Sequence, residues 1–287
     1  MKHERRIAMD RITIMINGLP GNVAKVITRH ALADTRVTVL PYSLTGPEID
    51  APAVRIGDTD IELIHPRERD SKIAELIKRQ GAFISVDFTH PTAVNANAEF
   101  YCRYNLPFVM GTTGGDREQL AAQVRRSSVS AVIAPNMAKQ IVGFQAMMNY
   151  AAERFPNLFK GYHLTIRESH QAGKADTSGT AKAMVHYFNK MGVPFSLDQI
   201  EKERDPERQS NMWGVPPESL SGHAWHTYTL ISADQTVKFE MIHNINGREI
   251  YGEGTLDAVI FLATKLASGS TGEVFSMIDV LEAGTDD

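Results

Sequence analysis

Two hydrophobic periods alternate along the chain. Residues 11–17, Arg-Ile-Thr-Ile-Met-Ile-Asn, form a β-branched run that predicts a strand. The turn Gly18-Leu19-Pro20-Gly21-Asn22-Val23-Ala24 follows, then apolar residues at helical spacing to about Ala33, then a second strand over 37–42. Strand, glycine turn, helix and strand in that order open a nucleotide-binding βαβ unit. Further strands are predicted at 61–64, 83–88, 108–111 and 131–135, alternating with helices around 71–79, 92–104 and 116–126. Such alternation predicts a parallel, doubly wound sheet.

The rhythm changes from about Ala138. A long helix to Phe155, a strand over 163–168, a polar loop and a second helix precede strands at 227–232 and 236–243. The short Ala233-Asp234 connection makes the last two antiparallel. Residues 201–208 are expected to be a solvated, charge-rich connection, 214–217 a loop, and the segment from Leu256 onward helical. The fold class is therefore α/β: a Rossmann-type doubly wound parallel sheet domain plus an α+β substrate and oligomerisation domain with a mixed sheet. The expected boundaries are 1–136 for the dinucleotide-binding domain, with 253–287 returning to it, and 137–252 for the second domain.

The polar loop carries the densest chemistry: Glu168-Ser169-His170-Gln171-Ala172-Gly173-Lys174-Ala175-Asp176-Thr177-Ser178-Gly179-Thr180-Ala181. Ala181, Met184, Val185, Phe188 and Met191 follow at helical spacing, with Gly192 and Pro194 as the stop. Ser178, Gly179 and Thr180 thus sit at a helix N-terminus, where free N–H groups and the helix dipole favour a carboxylate. Lys174 adds a full positive charge and His170 a proton donor. Ordinary capping by Asp176, Thr177 or Ser178 is the plainer reading. It explains neither the upstream His and Lys nor a glycine in the first helical turn, where close ligand approach is the simplest use.

Four segments mark a cofactor crevice. Gly18-x-x-Gly21-x-x-Ala24 allows a tight turn and a close backbone approach to pyrophosphate, although it lacks the common Gly-x-Gly spacing. Gly18, Leu19, Pro20, Gly21, Asn22 and Val23 are its candidate cofactor residues. Asp87-Phe88-Thr89, Gly111-Thr112-Thr113 and Ala134-Pro135-Asn136-Met137 lie at the expected carboxyl ends of parallel strands, the edge where open α/β sheets bind ligands. Singly each is a turn or a cap; together they outline one crevice. The end of the second strand, Thr38-Val39-Leu40-Pro41-Tyr42-Ser43, has no acid to meet a ribose 2′-hydroxyl. NADPH is therefore the expected cofactor, with NADH possible, and Ser43, Thr45 and Lys25 are candidate phosphate partners.

At 287 residues the chain is long enough for one large or two medium domains, and 43% hydrophobic with 22% charged residues is a globular composition. The net charge of -4 gives no reason to expect nucleic acid or an acidic membrane surface as a partner. One cysteine, Cys102, excludes an intrachain disulfide framework and fits a reducing cytoplasm. The first ten residues are expected to be a tail without a secretory signal, and no run approaches the roughly 20 apolar residues of a membrane span.

With these segments in place, the chain resembles the 4-hydroxy-tetrahydrodipicolinate reductase family, formerly called dihydrodipicolinate reductase, of the diaminopimelate route to lysine. The motif is similar to the family's Glu-x-His-His-x-x-Lys-x-Asp followed by Ser-Gly-Thr-Ala, and the Gly18 turn, Asp-Phe-Thr, Gly-Thr-Thr and the Asn136 loop occur in family order. Gln171 replaces the second His of many bacterial members, and the loop is one residue shorter and lacks a proline, as in the plant-type branch. The resemblance implies reduction of a cyclic, imine-containing dicarboxylate by a nicotinamide cofactor. His170 would be the proton donor, with Lys174 as a carboxylate and charge-stabilising partner. Gln171, Ser178, Gly179 and Thr180 would complete the substrate site. It further implies a homo-oligomer, dimer or tetramer, built through the second domain. Because the cofactor loops and the motif fall in different predicted domains, hydride transfer requires closure, with hinges expected near 136–138 and 252–254.

Other readings are a reductase of another cyclic imino acid and a non-catalytic nucleotide sensor on the same fold. A short-chain dehydrogenase is disfavoured because none of the eight tyrosines has a lysine four residues later. No metal is expected: the histidines are scattered, and His223 and His226 fall in a strand where they would face opposite sides or pack in the core.

Overall fold

The computed structural model describes residues 11–174 and 176–284; residues 1–10, expected to be a tail, Ala175 of the motif loop and the last three residues lie outside the described residues. The chain forms two compact units, one running to Lys139 and resuming at Tyr251, the other spanning Gln140–Ile250.

The first unit opens with β1 (Ile12–Asn17), α1 (Asn22–Ala33) and β2 (Val37–Val39). It continues through β3 (Tyr42–Leu44), β4 (Ala53–Ile56), β5 (Thr59–Ile64) and α2 (Arg69–Gln80). Then come β6 (Ile84–Asp87), α3 (Val94–Arg103), β7 (Phe108–Met110), α4 (Arg117–Arg125) and β8 (Ala131–Ile133). The second unit holds α5 (Lys139–Arg154), β9 (His163–His170), α6 (Gly179–Lys190), β10 (Glu201–Glu203), the single turn α7 (Pro206–Arg208), β11 (His223–Ile231) and β12 (Lys238–Asn246). The chain returns through α8 (Ile250–Ala267), β13 (Val274–Phe275) and α9 (Met277–Ala283).

The main sheet of the first unit has the order β13-β8-β7-β6-β1-β2, with every neighbouring pair parallel. Its central strands are covered on both faces: every residue of β6 and β7 is buried, the polar Ser85 and Asp87 included. Met15, Phe100, Tyr101, Phe108 and Met110 belong to one contiguous core on this sheet.

The strand expected over 37–42 divides. β2 stays in the main sheet, while Tyr42 N bonds back to Leu40 O at 2.8 Å and the chain turns into β3. Pro41 has no N–H to continue the ladder, and its carbonyl instead accepts from Glu62 N at 2.9 Å. β3 pairs parallel with β5, and β4 with β5 antiparallel, as a separate three-stranded sheet. The strand expected at 61–64 belongs to this sheet and not to the parallel one. The Gly57-Asp58 hairpin turn, with Gly57 at φ +57°, makes that pairing possible.

The second unit is a mixed sheet of order β10-β9-β11-β12. Leu164, Ile166, Tyr228 and Leu230 pack from one face against Ala181, Met184, Val185 and Phe188 of α6 and Met148 and Ala152 of α5. The spacing in the sequence had selected the same α6 positions. The 201–208 segment is exposed at six of its eight residues, as a solvated connection should be, but it is not merely a connection. Residues 201–203 pair parallel with β9, and Glu203 is buried. Three residues are too few to show a strand period.

Where the chain leaves and re-enters the first unit, Lys139 Nζ bonds Asp257 at 2.6 Å and Glu253 at 2.7 Å. Beside it Gly254 lies so close to the Met137 carbonyl that an added Cβ would sit 2.1 Å from the oxygen. Among the described residues no helix is long and apolar enough to cross a membrane.

Candidate active site

In the first unit, the turn after β1 is shaped by contact with the loop after β6. Gly18 has φ +105°, and a Cβ there would lie 2.2 Å from the Phe88 carbonyl oxygen, so only glycine fits. Gly18 N donates to Leu44 O at 2.9 Å, and Gly21 N to Gly18 O at 2.9 Å. α1 then begins at Asn22 with no side chain capping its first amides. Uncapped N–H groups and the positive end of the helix dipole suit a pyrophosphate.

A cavity of about 710 Å³ opens over this turn, lined among others by Gly18, Leu19, Pro20, Gly21, Asn22, Thr45, Phe88 and Thr89. Volume, free amides and a cradle closed to any Cβ together fit a dinucleotide. The remaining candidates lie beside the cavity and do not line it. Ser43 is fully buried, and its Oγ accepts from Leu19 N at 3.2 Å, so it fixes the turn and is not a free phosphate partner. Gly111 lets the Phe88 ring pack where a Cβ would be, 2.3 Å away. Asn136 Oδ1 accepts from Ala138 N at 3.0 Å, Met137 is buried, Val23 sits within α1, and the buried Ala134 follows β8 and donates from its N to Met110 O at 3.0 Å. Thr113 and Pro135 are exposed at the ends of β7 and β8.

Asp87 organises these loops. Its buried carboxylate accepts from Tyr101 Oη at 2.7 Å, Thr112 Oγ1 at 2.6 Å, Thr89 Oγ1 at 2.8 Å and Asn97 Nδ2 at 3.0 Å. A buried charge so fully hydrogen-bonded serves as a scaffold, tying the Phe88-Thr89 and Thr112 loops together.

In the second unit, strand register builds the site. On β9, alternate residues Leu164, Ile166, Glu168 and His170 share one face, so the apolar row ends in two titratable groups. β11 places His226 opposite Glu168, and β12 places His243 opposite His226. The result is a buried cross-strand row, with the His170 and His226 rings 5.1 Å apart and those of His226 and His243 4.6 Å apart. His223 falls on the opposite face and bonds Ser169 Oγ at 2.8 Å.

Glu168 is fully buried, yet charged. Burial by itself pushes its carboxyl up, but the facing His226, the Arg204 guanidinium and the Ser178 N–H outweigh it and hold the pKa well below the carboxylate range. Arg204 Nη2 binds Oε1, and Ser178 N donates to Oε2 at 3.2 Å. Arg204 also donates from Nε to Lys174 O at 2.7 Å and from Nη1 to Glu203 O at 2.9 Å, clamping the motif loop to the strand end. Gln209, fully buried, adds a bond to His170 O at 2.6 Å. Sequence reasoning missed Arg204 and Gln209. The one available signal was Asp205-Pro206, a helix-start pair that caps α7.

His170 is 6% exposed, and its Nε2 has no hydrogen-bond partner among the described residues; Glu168 Oε2 is 3.8 Å away. Burial, then the His226 charge, push its pKa down to about 4, against the pull of Glu168. The ring is thus neutral at pH 7 without ligand, not about one-quarter charged as its ordinary value of about 6.5 suggests. Ser178 caps α6 by accepting from Ala181 N at 3.0 Å, and its Oγ lies 2.8 Å from His226 Nε2. A Cβ on Gly179 would meet nothing within 4 Å, so the space over the helix start is open. Lys174 Nζ bonds the exposed Asp176 at 2.9 Å, a partner easily exchanged. Gln171 and Thr180 are half-buried on the same loop and first turn.

Glu168, His170 and His226 are the one set among the described residues with metal-ligand atoms within 4.8 Å of one another. Arg204 and the Ser178 amide already occupy both carboxylate oxygens, and a guanidinium beside a divalent ion costs Coulomb energy.

Known proteins share this plan. The dihydrodipicolinate reductase N-terminus family model matches residues 12–137 and the C-terminus model residues 141–281. A probable chloroplastic 4-hydroxy-tetrahydrodipicolinate reductase 1 of Oryza sativa subsp. japonica is 46% identical over 94% of this chain and 79% of its own length. The chloroplastic reductase 1 of Arabidopsis thaliana is 45% identical over 95% and 78%. In fold, a dipicolinate-bound dihydrodipicolinate reductase from Paenisporosarcina sp. TG-14 covers 93% of this chain and 97% of its own, with TM-score 0.63 at 17% identity. With both family models matched in order and plant relatives about 45% identical over nearly all of this chain, the chain belongs to the dihydrodipicolinate reductase family.

Proposed function

We propose that the second-unit site binds a cyclic imino dicarboxylate and protonates it as it is reduced. The chain is an NAD(P)H-dependent oxidoreductase of lysine biosynthesis, converting 4-hydroxy-tetrahydrodipicolinate to tetrahydrodipicolinate and water. The observation that carries the residue roles is the unpartnered, buried Nε2 of His170 beside the open start of α6.

One carboxylate of the substrate is held by the Gly179 and Thr180 amides and the Ser178 end of α6, the other by Lys174, released from Asp176, with Gln171 beside it. Reduced nicotinamide, bound over the Gly18 turn, supplies the hydride when present. Loss of the hydroxyl together with a proton from the neighbouring carbon, as water, gives the conjugated imine; hydride addition to it leaves an electron-rich enamine, and His170 delivers the proton that completes the reduction. Two substrate carboxylates close to a neutral imidazole favour its protonated form. Binding therefore charges the acid at the moment it is needed. Calorimetry of dipicolinate binding at pH 7 in two buffers of different ionisation enthalpy is expected to show uptake of a proton, and no uptake in His170→Gln.

Hydride transfer requires the cofactor and substrate sites to meet, so we place hinges near 136–138 and 252–254. Compaction in small-angle scattering on adding NADPH with dipicolinate is the expected outcome. NADPH is the preferred cofactor on this reading, supported by the absence of an acid from residues 38–43. No metal takes part.

We place oligomerisation on the second unit. The long edge strand β12 exposes Ile242 at 57% on the face opposite the core, a surface suited to pairing with a second copy. Ile242→Lys is expected to shift the mass measured by light scattering toward the monomer. For location we propose a reducing compartment, which the cytoplasm provides and, for the plant relatives named chloroplastic, the plastid also provides.

The test of the reaction is direct. The product of the preceding synthase is supplied with NADPH or NADH and nicotinamide absorbance is followed; oxidation is expected, and its absence with both cofactors overturns the assignment.

A further inference from the structure

The cavity over the Gly18 turn has one arginine or lysine among its lining residues, Arg69, and one carboxylate, Glu48. Arg69 is the first residue of α2, and its guanidinium lies flat-on to a buried ring, with Cζ 4.6 Å from the Phe100 centroid. Its side chain is only 28% exposed. Asp70 Oδ2 lies 3.8 Å from Nε, beyond hydrogen-bond reach, while Asp70 Oδ1 is held by Arg103 at 2.8 Å and Tyr104 Oη at 2.9 Å. The Arg69 fork is therefore fixed by stacking and keeps N–H donors that no described residue accepts from.

A dinucleotide on this turn puts its pyrophosphate at the start of α1 and its adenosine ribose beyond the neighbouring strand end. Beside the glycine turn stands the end of β3, whose Leu44 accepts from Gly18 N at 2.9 Å and, with the following Thr45, lines the same cavity as Arg69. In such sites an acid accepts from the ribose 2′-hydroxyl, whereas an arginine accommodates a 2′-phosphate. Glu48 is exposed and folded back on its own loop: a Cβ on Gly46 would sit 2.4 Å from its Oε1. Water screens that charge, whereas the half-buried, stacked Arg69 is preorganised to bind an anion bidentately.

We propose that Arg69, stacked on Phe100, is the specificity-determining residue that reads the 2′-phosphate of NADPH. The proposal rests on the cavity being the nicotinamide-cofactor site. It explains cofactor choice by a residue about 50 positions past the glycine turn, far beyond the roughly 20-residue offset of the usual acid.

The test is calorimetric binding of 2′,5′-ADP and of 5′-ADP to the full chain, without substrate or turnover. Wild type is expected to bind 2′,5′-ADP at least about tenfold more tightly, as a charge-assisted contact implies. Arg69→Leu is expected to abolish the difference while binding 5′-ADP within about twofold of wild type, by loss of the single 2′ contact. Arg69→Lys retains part of it, and Glu48→Ala retains all of it. Equal binding of the two ligands by wild type, or a preference that survives Arg69→Leu, overturns the proposal. Loss of the preference in Glu48→Ala also overturns it, by moving the reading to the 45–49 loop. Binding of neither ligand by wild type overturns the cofactor reading of the cavity along with it. Should Arg69→Leu unfold, Arg69→Gln carries the same comparison with hydrogen bonding but no charge.

Discussion

The cavity over the Gly18 turn and the buried cluster around Glu168 and His170 answer charge in different ways. The first is made of backbone: a glycine at φ +105°, uncapped amides at the start of α1, and loops tied together by one buried aspartate. The second is made of side chains brought together by register, with Glu168, His226 and His243 in line across three strands and Arg204 reaching in from a fourth segment. A backbone cradle tolerates change in most side chains around it and none at the glycine. A register-built cluster depends on every charge being answered, because burial leaves no water to answer it.

The largest effect on folding is expected where that contrast is sharpest. Arg204→Leu leaves the fully buried Glu168 carboxylate without its guanidinium, and removing one partner of a buried pair costs about 3–5 kcal/mol. Denaturant unfolding checks this; a loss under about 1 kcal/mol would mean that His226 and the Ser178 amide suffice. Gly18→Ala is the counterpart in the first unit. The positive φ and the overlap with the Phe88 carbonyl cost about 1–3 kcal/mol, with adenine-nucleotide binding lost while the second unit keeps its hydrogen-exchange protection.

Protonation offers a milder probe of the same difference. His170 and His243 are both held down to about 4, by burial first and then by the His226 charge, so the unfolded chain binds their protons more readily. Their contribution is complete above the ordinary value of about 6.5 and is lost as pH falls toward 4. Glu168, held low, adds a second loss as pH falls below the usual carboxylate range. The thermal midpoint is therefore expected to decline from pH 7 to 4 and again below it. His243→Gln, which keeps a partner for the Tyr228 hydroxyl at 3.2 Å, should flatten the first stage. The smallest effect is expected at the exposed Arg55–Asp60 pair of the β4–β5 hairpin, where Arg55→Ala should change stability by no more than about 0.5 kcal/mol.

The two sites also differ in how well they can be read from sequence. The Gly18 turn and the start of α6 are local: strand, glycine and helix follow each other within a dozen residues, and the apolar period of α6 marks where its amides begin. Ser43 shows the limit of that reading. It stands at the right place in the chain, but a fold that sends Tyr42–Leu44 into a second sheet buries its hydroxyl against Leu19 N. Nothing local tied Arg204 or His226 to Glu168, since their meeting is a matter of pairing between segments 36 and 58 residues away; Asp205-Pro206 marks only the start of α7. The low pKa of His170 was equally hidden, because it comes from burial and from a ring on another strand.

The central claim is that His170 supplies the proton to a substrate held by Lys174 and the α6 start. The most direct test is turnover of His170→Gln beside wild type, with nicotinamide oxidation followed on the supplied synthase product and 2′,5′-ADP binding measured on both. The expected result is a fall in kcat of about 10²–10⁴-fold with nucleotide affinity unchanged. A variant that turns over at the wild-type rate would contradict it.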